Sequence, residues 1–293
     1  MKNNSYPKTG VVMVVQNDAE TIERTFRSFY DSVEAIVVST DPNRGWTGEP
    51  IKPDETIDII ESLDVDNKVT IIKGNFCVYD EPMMNETFQR QVSANWLANT
   101  VKNLDWVCQI DADEEFLNFE EVLTFLKNVP FWCRGVRWTM AHIFNELDDG
   151  RVLVVTDENG TPNLHKFHLA SRPFTNLVYA RTPCLHPFSL NRQTLRLNEV
   201  LYRSNKYTKF IQDFDGYKNL SGLCLHYTFA KSKKRVWEKL QTWGHSKEFD
   251  IKAFFELWER SKTDWQNIHN FHFQKPEVWK RLRPFTIEEL RGL

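Results

Sequence analysis

The first 110 residues alternate between unbroken apolar runs and stretches in which apolar side chains recur at helical spacing. Residues 11–15 form a continuous, mostly β-branched run, which predicts a strand buried on both faces. Asp18 predicts the N-terminal cap of a helix over residues 19–30. A second buried strand is predicted at residues 35–39. The chain therefore opens with a βαβ unit, which implies parallel strands with helices on the faces of the sheet.

A loop rich in glycine and proline follows at residues 41–53. At the carboxyl end of a strand in an open α/β sheet, such a loop lies where ligands bind. The next predicted elements are a helix at residues 54–63 capped by Asp54, a strand at residues 69–72, a helix at residues 82–103 with Phe88, Val92, Trp96 and Leu97 on its buried side, and a strand at residues 106–110. Four strands separated by helices predict a Rossmann-like half.

Beyond residue 130 the pattern is less regular. Strands are predicted at residues 136–141 and 151–156, antiparallel across a turn at residues 148–150, and a short strand is predicted at residues 177–180. From Ser232 onward helical spacing returns, with Asp250 as a cap and with Thr286 and Glu289 at capping-box spacing.

These patterns predict an α/β fold with a mixed, mainly parallel central sheet and a C-terminal helical extension. We expect a catalytic domain over residues 1–230, divided into halves at residues 1–116 and 117–230. The extension covers residues 231–293.

Composition excludes several classes of protein. A chain of 293 residues with 41% hydrophobic and 26% charged residues is globular rather than disordered. Its longest apolar run is far too short for a membrane helix, and the polar N-terminus lacks the apolar segment of a secretory signal, so we expect a cytoplasmic protein without a transmembrane segment. Five cysteines with no C-x-x-C pair predict reduced, mostly buried thiols.

Charge is distributed unevenly along the chain. Residues 231–293 carry 14 Lys and Arg against 9 Asp and Glu, whereas residues 1–230 carry 23 against 31. The same extension holds five of the ten tryptophans. This mixture of cations and aromatic rings can hold phosphates and stack on bases or sugars. Alternatively, the extension is a helical lid whose tryptophans complete the core and whose lysines face water.

The strongest chemical signal is Asp111-Ala112-Asp113, two carboxylates that follow a buried strand. A divalent cation that bridges a diphosphate requires hard oxygen ligands at a sheet edge that is open to the phosphates. When such a motif occurs alone, the alternative interpretation is a solvated acidic turn that binds no metal.

Several ordered motifs resemble those of the family 2 glycosyltransferases, which have the glycosyltransferase A fold. The resemblance runs from about residue 9 to residue 116. It rests on five stretches: residues 14–19, where Asp18 replaces the family's glutamate; residues 37–41, a strand that ends on Asp41; residues 54–60, similar to the family's Asp-Gly-Thr; residues 88–91, with Arg90; and residues 105–115, around Asp111 and Asp113.

By this resemblance the donor is a nucleotide sugar, most often a UDP-sugar, bound with Mn²⁺ or Mg²⁺. Asp113 corresponds to the direct metal ligand, and Asp111 holds the metal or the ribose. The resemblance implies that Arg90 approaches the diphosphate. The base and ribose are assigned to Asn17, Asp18 and Asp41.

A further metal ligand is expected from a later histidine. His226, in Leu223-Cys224-Leu225-His226-Tyr227, is the first candidate and His186 the second, and a satisfied core histidine is the alternative for both.

Inverting transfer requires a carboxylate that accepts the proton of the acceptor hydroxyl. The Glu-Asp pair that many family 2 enzymes use is missing here. The candidates for the base in the corresponding region are Glu199, Asp213 and Asp215. The alternative interpretation of each is an ordinary loop carboxylate without a catalytic role.

The sequence therefore predicts a metal-dependent, inverting glycosyltransferase whose acceptor is a glycan or a lipid-linked sugar. A second acceptor class is DNA with hydroxymethylated bases, which a basic, aromatic tail suits. A sugar nucleotidyltransferase is disfavoured because no Gly-rich phosphate loop follows the first strand. A non-catalytic nucleic-acid-binding protein is disfavoured by the net charge of -3.

Overall fold

A computed structural model describes residues 6–184, 210–214, 222–242 and 249–292. Its strands are β1 (Thr9–Val14), β2 (Ala35–Thr40), β3 (Val69–Lys73), β4 (Trp106–Asp111), β5 (Glu114–Phe116), β6 (Gly135–Glu146), β7 (Val152–Thr156), β8 (Leu164–Ser171), β9 (Leu177–Tyr179), β10 (Thr182–Pro183), β11 (Ile211–Asp213), β12 (Cys224–His226) and β13 (Arg281–Phe285). Its α-helices are α1 (Ile22–Arg27), α2 (Thr56–Leu63), α3 (Pro82–Thr100), α4 (Phe119–Asn128), α5 (Lys233–Thr242), α6 (Ile251–Asp264) and α7 (Ile287–Gly292).

Eleven strands of the described residues form one sheet, whose main path runs β13-β7-β6-β8-β4-β1-β2-β3. Strands β4, β1, β2 and β3 are parallel throughout, as predicted for the first half. Strand β8 is antiparallel to both β4 and β6, and β7 is antiparallel to β6 and β13. The mixed α/β sheet predicted from the sequence is confirmed.

The first helix is shorter than predicted. It begins at Ile22, and the Asp18 side chain does not cap it, because the Asp18 carboxylate accepts hydrogen bonds from the Gln16 backbone N–H and from Lys231. The Asp18 carbonyl instead accepts the N–H groups of Thr21 and Ile22.

The buried side of α3 is polar at its N-terminal half, contrary to the predicted apolar side. Of the four side chains expected there only Leu97 is fully buried, and Trp96 is exposed. Asn85 and Gln89 are buried because they hold the loop at residues 41–53: Asn85 donates to the Trp46 carbonyl, and Gln89 accepts from the Trp46 indole. The polar face of α3 therefore builds the wall of the sheet edge where ligands are expected.

The second half contains the predicted antiparallel pair, in which β6 is longer than expected. Helix α4 and strand β8 are not among the predicted elements. Strand β8 begins with Leu164-His165-Lys166, in which the second and third side chains are exposed, so its first residues lack the apolar run of a buried strand.

The extension is not purely helical, because β13 adds to the edge of the sheet beside β7. Helices α5 and α6 share a hydrophobic cluster with Phe144, Leu153 and Val155 of β6 and β7. The caps are as predicted: Asp250 accepts the Ala253 N–H, and Thr286 and Glu289 form a capping box. Four of the five tryptophans pack in or against this cluster, namely Trp237, Trp258, Trp265 and Trp279; Trp243 lies outside the described residues.

Two further predictions concern the cysteines and the membrane. Cys108, Cys133, Cys184 and Cys224 are buried thiols outside any disulfide bond, and Cys77 is a half-buried one. Across the described parts of the chain, no helix combines the length and apolar character that crossing a bilayer requires.

His168 on β8 is expected to make the stability of the fold depend on pH. Burial, with Arg137 and Arg181 nearby, lowers its pKa from 6.5 to about 3. The folded protein keeps His168 neutral, whereas the unfolded chain binds a proton below pH 6.5. Stability therefore falls as the pH drops from 6.5 towards 3, and this residue alone lowers the free energy of unfolding by about 2 kcal/mol between pH 8 and pH 5.

Denaturant unfolding at pH 8 and pH 5 checks this expectation with the wild type and His168→Gln. In the variant, the difference in unfolding free energy between pH 8 and pH 5 should be smaller than in the wild type by about 2 kcal/mol. A variant with the full wild-type difference would show that His168 is not the group responsible.

Candidate functional site

The candidate site lies at the carboxyl edge of the parallel half, between β1 and β4. The chain runs outward from β1 through β2 to β3 and then returns along α3 to β4 on the other side of β1, so the strand order reverses there. Ligands of open α/β sheets bind at such a switch point. Because Val14 pairs with Asp111, the turn after β1 and the acidic turn after β4 lie side by side.

The Asp111 carboxylate is held by two arginines. Its Oδ1 lies 2.6 Å from Nη2 of Arg90, and its Oδ2 lies 3.5 Å from Nη2 of Arg181. Burial raises the pKa of Asp111, but Arg90 and Arg181 outweigh that effect and lower it below the usual value.

Glu114, three residues further, is fully buried and forms a two-pronged ion pair with Arg181, at 2.5 Å and 2.8 Å. Its Oε2 also accepts the Asp111 backbone N–H at 3.0 Å. Arg181 and Glu114 therefore fix the acidic turn, which is a role that the sequence analysis did not assign to either residue.

Asp113 lies in a cluster of cations. The antiparallel pairing of β5 with β12 places His226 opposite Glu114, and His226 Nε2 thereby lies 3.3 Å from Asp113 Oδ1. Asp113 Oδ2 accepts a hydrogen bond from Lys239 at 2.9 Å and lies 3.3 Å from the Lys231 ammonium. Burial raises the pKa of Asp113, but Lys239, Lys231 and His226 together hold it well below the usual range.

Both lysines come from the start of the C-terminal extension. Lys231, Arg235 and Lys239 are four residues apart, which aligns them on one side of α5 and of the turn before it. Ser232 anchors this segment by donating its N–H and hydroxyl to Glu20, at 2.6 Å each. Lys231 also donates to Asp18 at 3.0 Å, and Arg235 donates to the Asn17 carbonyl. The four-residue spacing is a sequence signal that places these cations on one side of a helix, but it does not show which carboxylates they meet.

The pKa values of the two lysines shift in opposite directions. Burial alone lowers the pKa of Lys231, but Asp113 and Asp18 outweigh that effect and raise it above the usual value. The pKa of Lys239 is lowered, because burial and the neighbouring Lys231 outweigh its attraction to Asp113. The charged form of Lys231 is therefore stabilised by its two carboxylate partners, whereas the charged form of Lys239 is stabilised less than it would be in water.

Asn17 and Asp41 shape the loops of the edge. Asn17 adopts a left-handed conformation (φ 55°); its amide donates to the Lys52 carbonyl, and its side-chain oxygen accepts the Asp54 N–H. Asp41 is buried, and its carboxylate accepts the backbone N–H groups of Asn43, Arg44 and Phe76. These bonds give each residue a defined structural role.

Arg90 is almost fully buried, at 2% exposure, on the polar face of α3. It donates to Glu86 through Nε and to Asp111 through Nη2. Its Nη1 is also buried but has no acceptor among the described residues. A buried guanidinium N–H without an acceptor is costly, and ligand-binding sites are among the places where proteins retain one.

The first three residues expected to bind a metal, Asp111, Asp113 and His226, all lie in the described part of the chain. Asp113 and His226 are adjacent, but both carboxylates of the Asp111-Ala112-Asp113 motif are engaged by basic side chains. Within the described ranges, no group of three or more His, Cys, Asp and Glu side chains is arranged to hold a metal ion. The side chains around Asp111 and Asp113 therefore suit an anion bound by the cations better than a divalent cation bound by the carboxylates.

Of the three candidates for the base, only Asp213 can be placed. It pairs with Arg137 at the beginning of β6, five positions before His142, which is the partner of His226. Five strand residues span about 16 Å, so the structure does not bring Asp213 to the Asp113 cluster. Burial raises its pKa, but hydrogen bonds from Arg137 and Lys166 lower it, which makes Asp213 a weak base. Glu199, Asp215 and the histidine candidate His186 lie outside the described residues.

Three histidine rings meet beside the cluster. His142 lies 5.4 Å from His226 and 5.9 Å from His165, measured between ring centroids, and Trp279 packs on His142 at 5.5 Å. Burial and the neighbouring His226 lower the pKa of His142 well below 6.5. His142 is therefore neutral at physiological pH.

Comparison with known proteins gives limited similarity. No protein-family model and no curated protein matches the chain. A structure of S. aureus TarS 1–349 in complex with UDP covers 46% of this chain and 36% of that chain, at 16% identity and a TM-score of 0.33. A second structure of S. aureus TarS 1–349 covers 89% and 73%, at 12% identity and a TM-score of 0.42. GalNAc-T7 with UDP, GalNAc and Mn²⁺ covers 99% and 57%, at 12% identity and a TM-score of 0.33.

Proposed function

We propose that the chain is a glycosyltransferase that takes a sugar from a nucleotide sugar, with a UDP-sugar as the first candidate, and transfers it to an acceptor hydroxyl. The observation that carries this proposal is the gathering of carboxylates and cations at the switch point between β1 and β4. Asp18, Asp111 and Asp113 come from the ends of these two strands, and their partners are Arg90, Lys231 and Lys239.

This mixture of charges suits a nucleoside diphosphate. Carboxylates accept hydrogen bonds from ribose hydroxyls, and lysines and arginines donate to phosphate oxygens. In this proposal Asp18 and Asp111 face the ribose, Asn17 and Asp41 shape the loops around the base, and Arg90 reaches the diphosphate. The metal dependence implied by the family resemblance is not part of the proposal, because cationic side chains already engage both motif carboxylates.

The reaction is a displacement at the anomeric carbon of the donor. A bond forms from the acceptor oxygen to that carbon, the bond from the carbon to the phosphate oxygen breaks, and the nucleoside diphosphate leaves with the electron pair. The acceptor proton passes to a base, for which Glu199 and Asp215 stay candidates; one displacement inverts the stereochemistry. Because the leaving diphosphate gains negative charge, cations that touch it stabilise the transition state more than the ground state.

The acceptor that we propose is a glycan or a lipid-linked sugar. An enzyme that flips bases out of DNA needs aromatic side chains free to stack on them. The tryptophans of the extension that the structure describes do not meet this need, because Trp258 and Trp279 are buried in the hydrophobic cluster and Trp237 and Trp265 pack against it. A salt titration separates the two classes of acceptor, since phosphate contacts make the affinity for DNA fall steeply with salt.

Thermal unfolding with a panel of nucleotides tests the donor class. UDP or a UDP-sugar is expected to raise the melting temperature, because a ligand that binds only the folded state stabilises it by mass action. The same ligands at equal concentration with Lys252→Gln, a change of an exposed lysine on α6, should give the wild-type shift. The absence of a shift with every nucleotide would contradict the proposal. Release of UDP during turnover identifies a glycosyltransferase, whereas release of pyrophosphate from a nucleoside triphosphate would identify a nucleotidyltransferase.

A further inference from the structure

We propose that the ammonium groups of Lys231 and Lys239 take the place of a divalent cation beside Asp113, so that the donor diphosphate is bound without metal. This inference rests on the proposed function, because it concerns how that donor is held. It departs from the expectation drawn from the Asp111-Ala112-Asp113 motif, which assigns the same position to Mn²⁺ or Mg²⁺.

Both carboxylate oxygens of Asp113 are already engaged by basic side chains. Oδ2 is shared by Lys239 at 2.9 Å and Lys231 at 3.3 Å, and Oδ1 faces His226 at 3.3 Å. A divalent cation binds carboxylate oxygens at about 2.0–2.6 Å. A metal ion at Asp113 would therefore lie beside two ammonium groups, and the repulsion would weaken its binding.

Lys231 is held at this position by several contacts. Its side chain is only 4% exposed, and it also donates to Asp18 at 3.0 Å. The next residue, Ser232, is fastened to Glu20 through both its backbone N–H and its hydroxyl. Displacing Lys231 would take one of two ammonium partners from Asp113 and the ammonium partner from Asp18, and breaking such buried ion pairs is costly.

Hydrogen-bond donors remain for the diphosphate. The Lys239 side chain is 26% exposed, so solvent and ligands reach it. Its ammonium group has three N–H donors, and Asp113 is the one carboxylate with which it pairs among the described residues. Arg90 adds the buried Nη1 that has no acceptor in the described part of the chain. Phosphate oxygens supply the acceptors that these donors lack.

Binding of UDP, followed by calorimetry and by melting temperature, tests the inference in excess EDTA and in excess Mn²⁺ or Mg²⁺. The wild type is expected to bind UDP in EDTA. Lys239→Gln should weaken that binding by roughly 10- to 100-fold, because a hydrogen bond to a charged group is lost. Lys239→Arg should retain most of the affinity. Lys234→Gln is the matched control on the same helix, since this lysine is 82% exposed, and it should bind as the wild type does.

The outcomes distinguish the inference from the function on which it rests. Binding that requires Mn²⁺ or Mg²⁺ would overturn the inference and leave the glycosyltransferase proposal standing. Binding of UDP in EDTA that Lys239→Gln and Lys234→Gln weaken equally would also overturn it. No binding of any nucleotide in either buffer would contradict the proposed function itself.

Discussion

Asp113→Asn is expected to abolish sugar transfer and to lower the free energy of unfolding by about 3–5 kcal/mol. The substitution keeps the shape of the side chain but removes the charge that Lys231 and Lys239 share. Two ammonium groups would then face each other with only Asp18 as a carboxylate partner. Since a domain has a total stability of about 5–15 kcal/mol, this loss is a large fraction.

Urea unfolding gives the stability of the variant, and UDP release with a sugar acceptor gives its activity. Asp66→Asn provides the control, because Asp66 is an exposed aspartate paired with Lys68 at 3.4 Å and should leave both quantities nearly unchanged. An Asp113→Asn protein with wild-type stability would show that the lysines do not depend on Asp113. Wild-type activity in that variant would remove Asp113 from the proposed site.

Arg181→Met is expected to destabilise the fold by about 3–5 kcal/mol, because it leaves the carboxylate of Glu114 buried without its cation. The effect should spread to the site, since Glu114 accepts the Asp111 N–H and Arg181 also faces the Asp111 carboxylate. Glu114→Gln should relieve part of the loss when it is combined with Arg181→Met, because no unpaired charge then remains buried.

A double-mutant cycle from denaturant unfolding of the four proteins measures this coupling. Residues in direct contact give interaction energies of about 0.5–3 kcal/mol, and we expect a value at the upper end. Arg151→Met serves as the comparison, since Arg151 is exposed and paired with Asp149. Additive effects of Arg181→Met and Glu114→Gln would mean that the two side chains do not stabilise each other.

The parallel half of the sheet was predictable because it is built from local signals. Strands buried on both faces appear as unbroken apolar runs, and helix α3 begins at Pro82 as expected. Helix α2 begins at Thr56, two residues later than predicted, and its N-cap is Glu55 rather than Asp54. The exceptions have physical causes. Asp18 has the residue type of a cap, but a lysine 213 residues away takes its carboxylate. Strand β13 has Pro284 and two arginines in five residues, so only its pairing with β7 defines it as a strand.

The site was predictable in position but not in chemistry. Asp18, Arg90, Asp111 and Asp113 do meet at one edge, as the alternation of strands and helices implied. Their partners could not be identified in the same way, because Arg181, Lys231 and Lys239 are far away in sequence and arrive through tertiary packing. A motif indicates which carboxylates meet, whereas the cations that engage them decide whether a metal or an ammonium group stands beside them.

The pairing of β13 with β7 has a consequence for the synthesis of the chain. Strand β7 is buried throughout and consists of Val-Leu-Val-Val-Thr, and β13 covers its outer edge with the last strand of the described sequence. Until residue 281 has left the ribosome, β7 therefore has an open, strongly apolar edge, which is the kind of surface on which nascent chains aggregate. A ribosome stalled shortly before that residue would hold a chain in need of a chaperone.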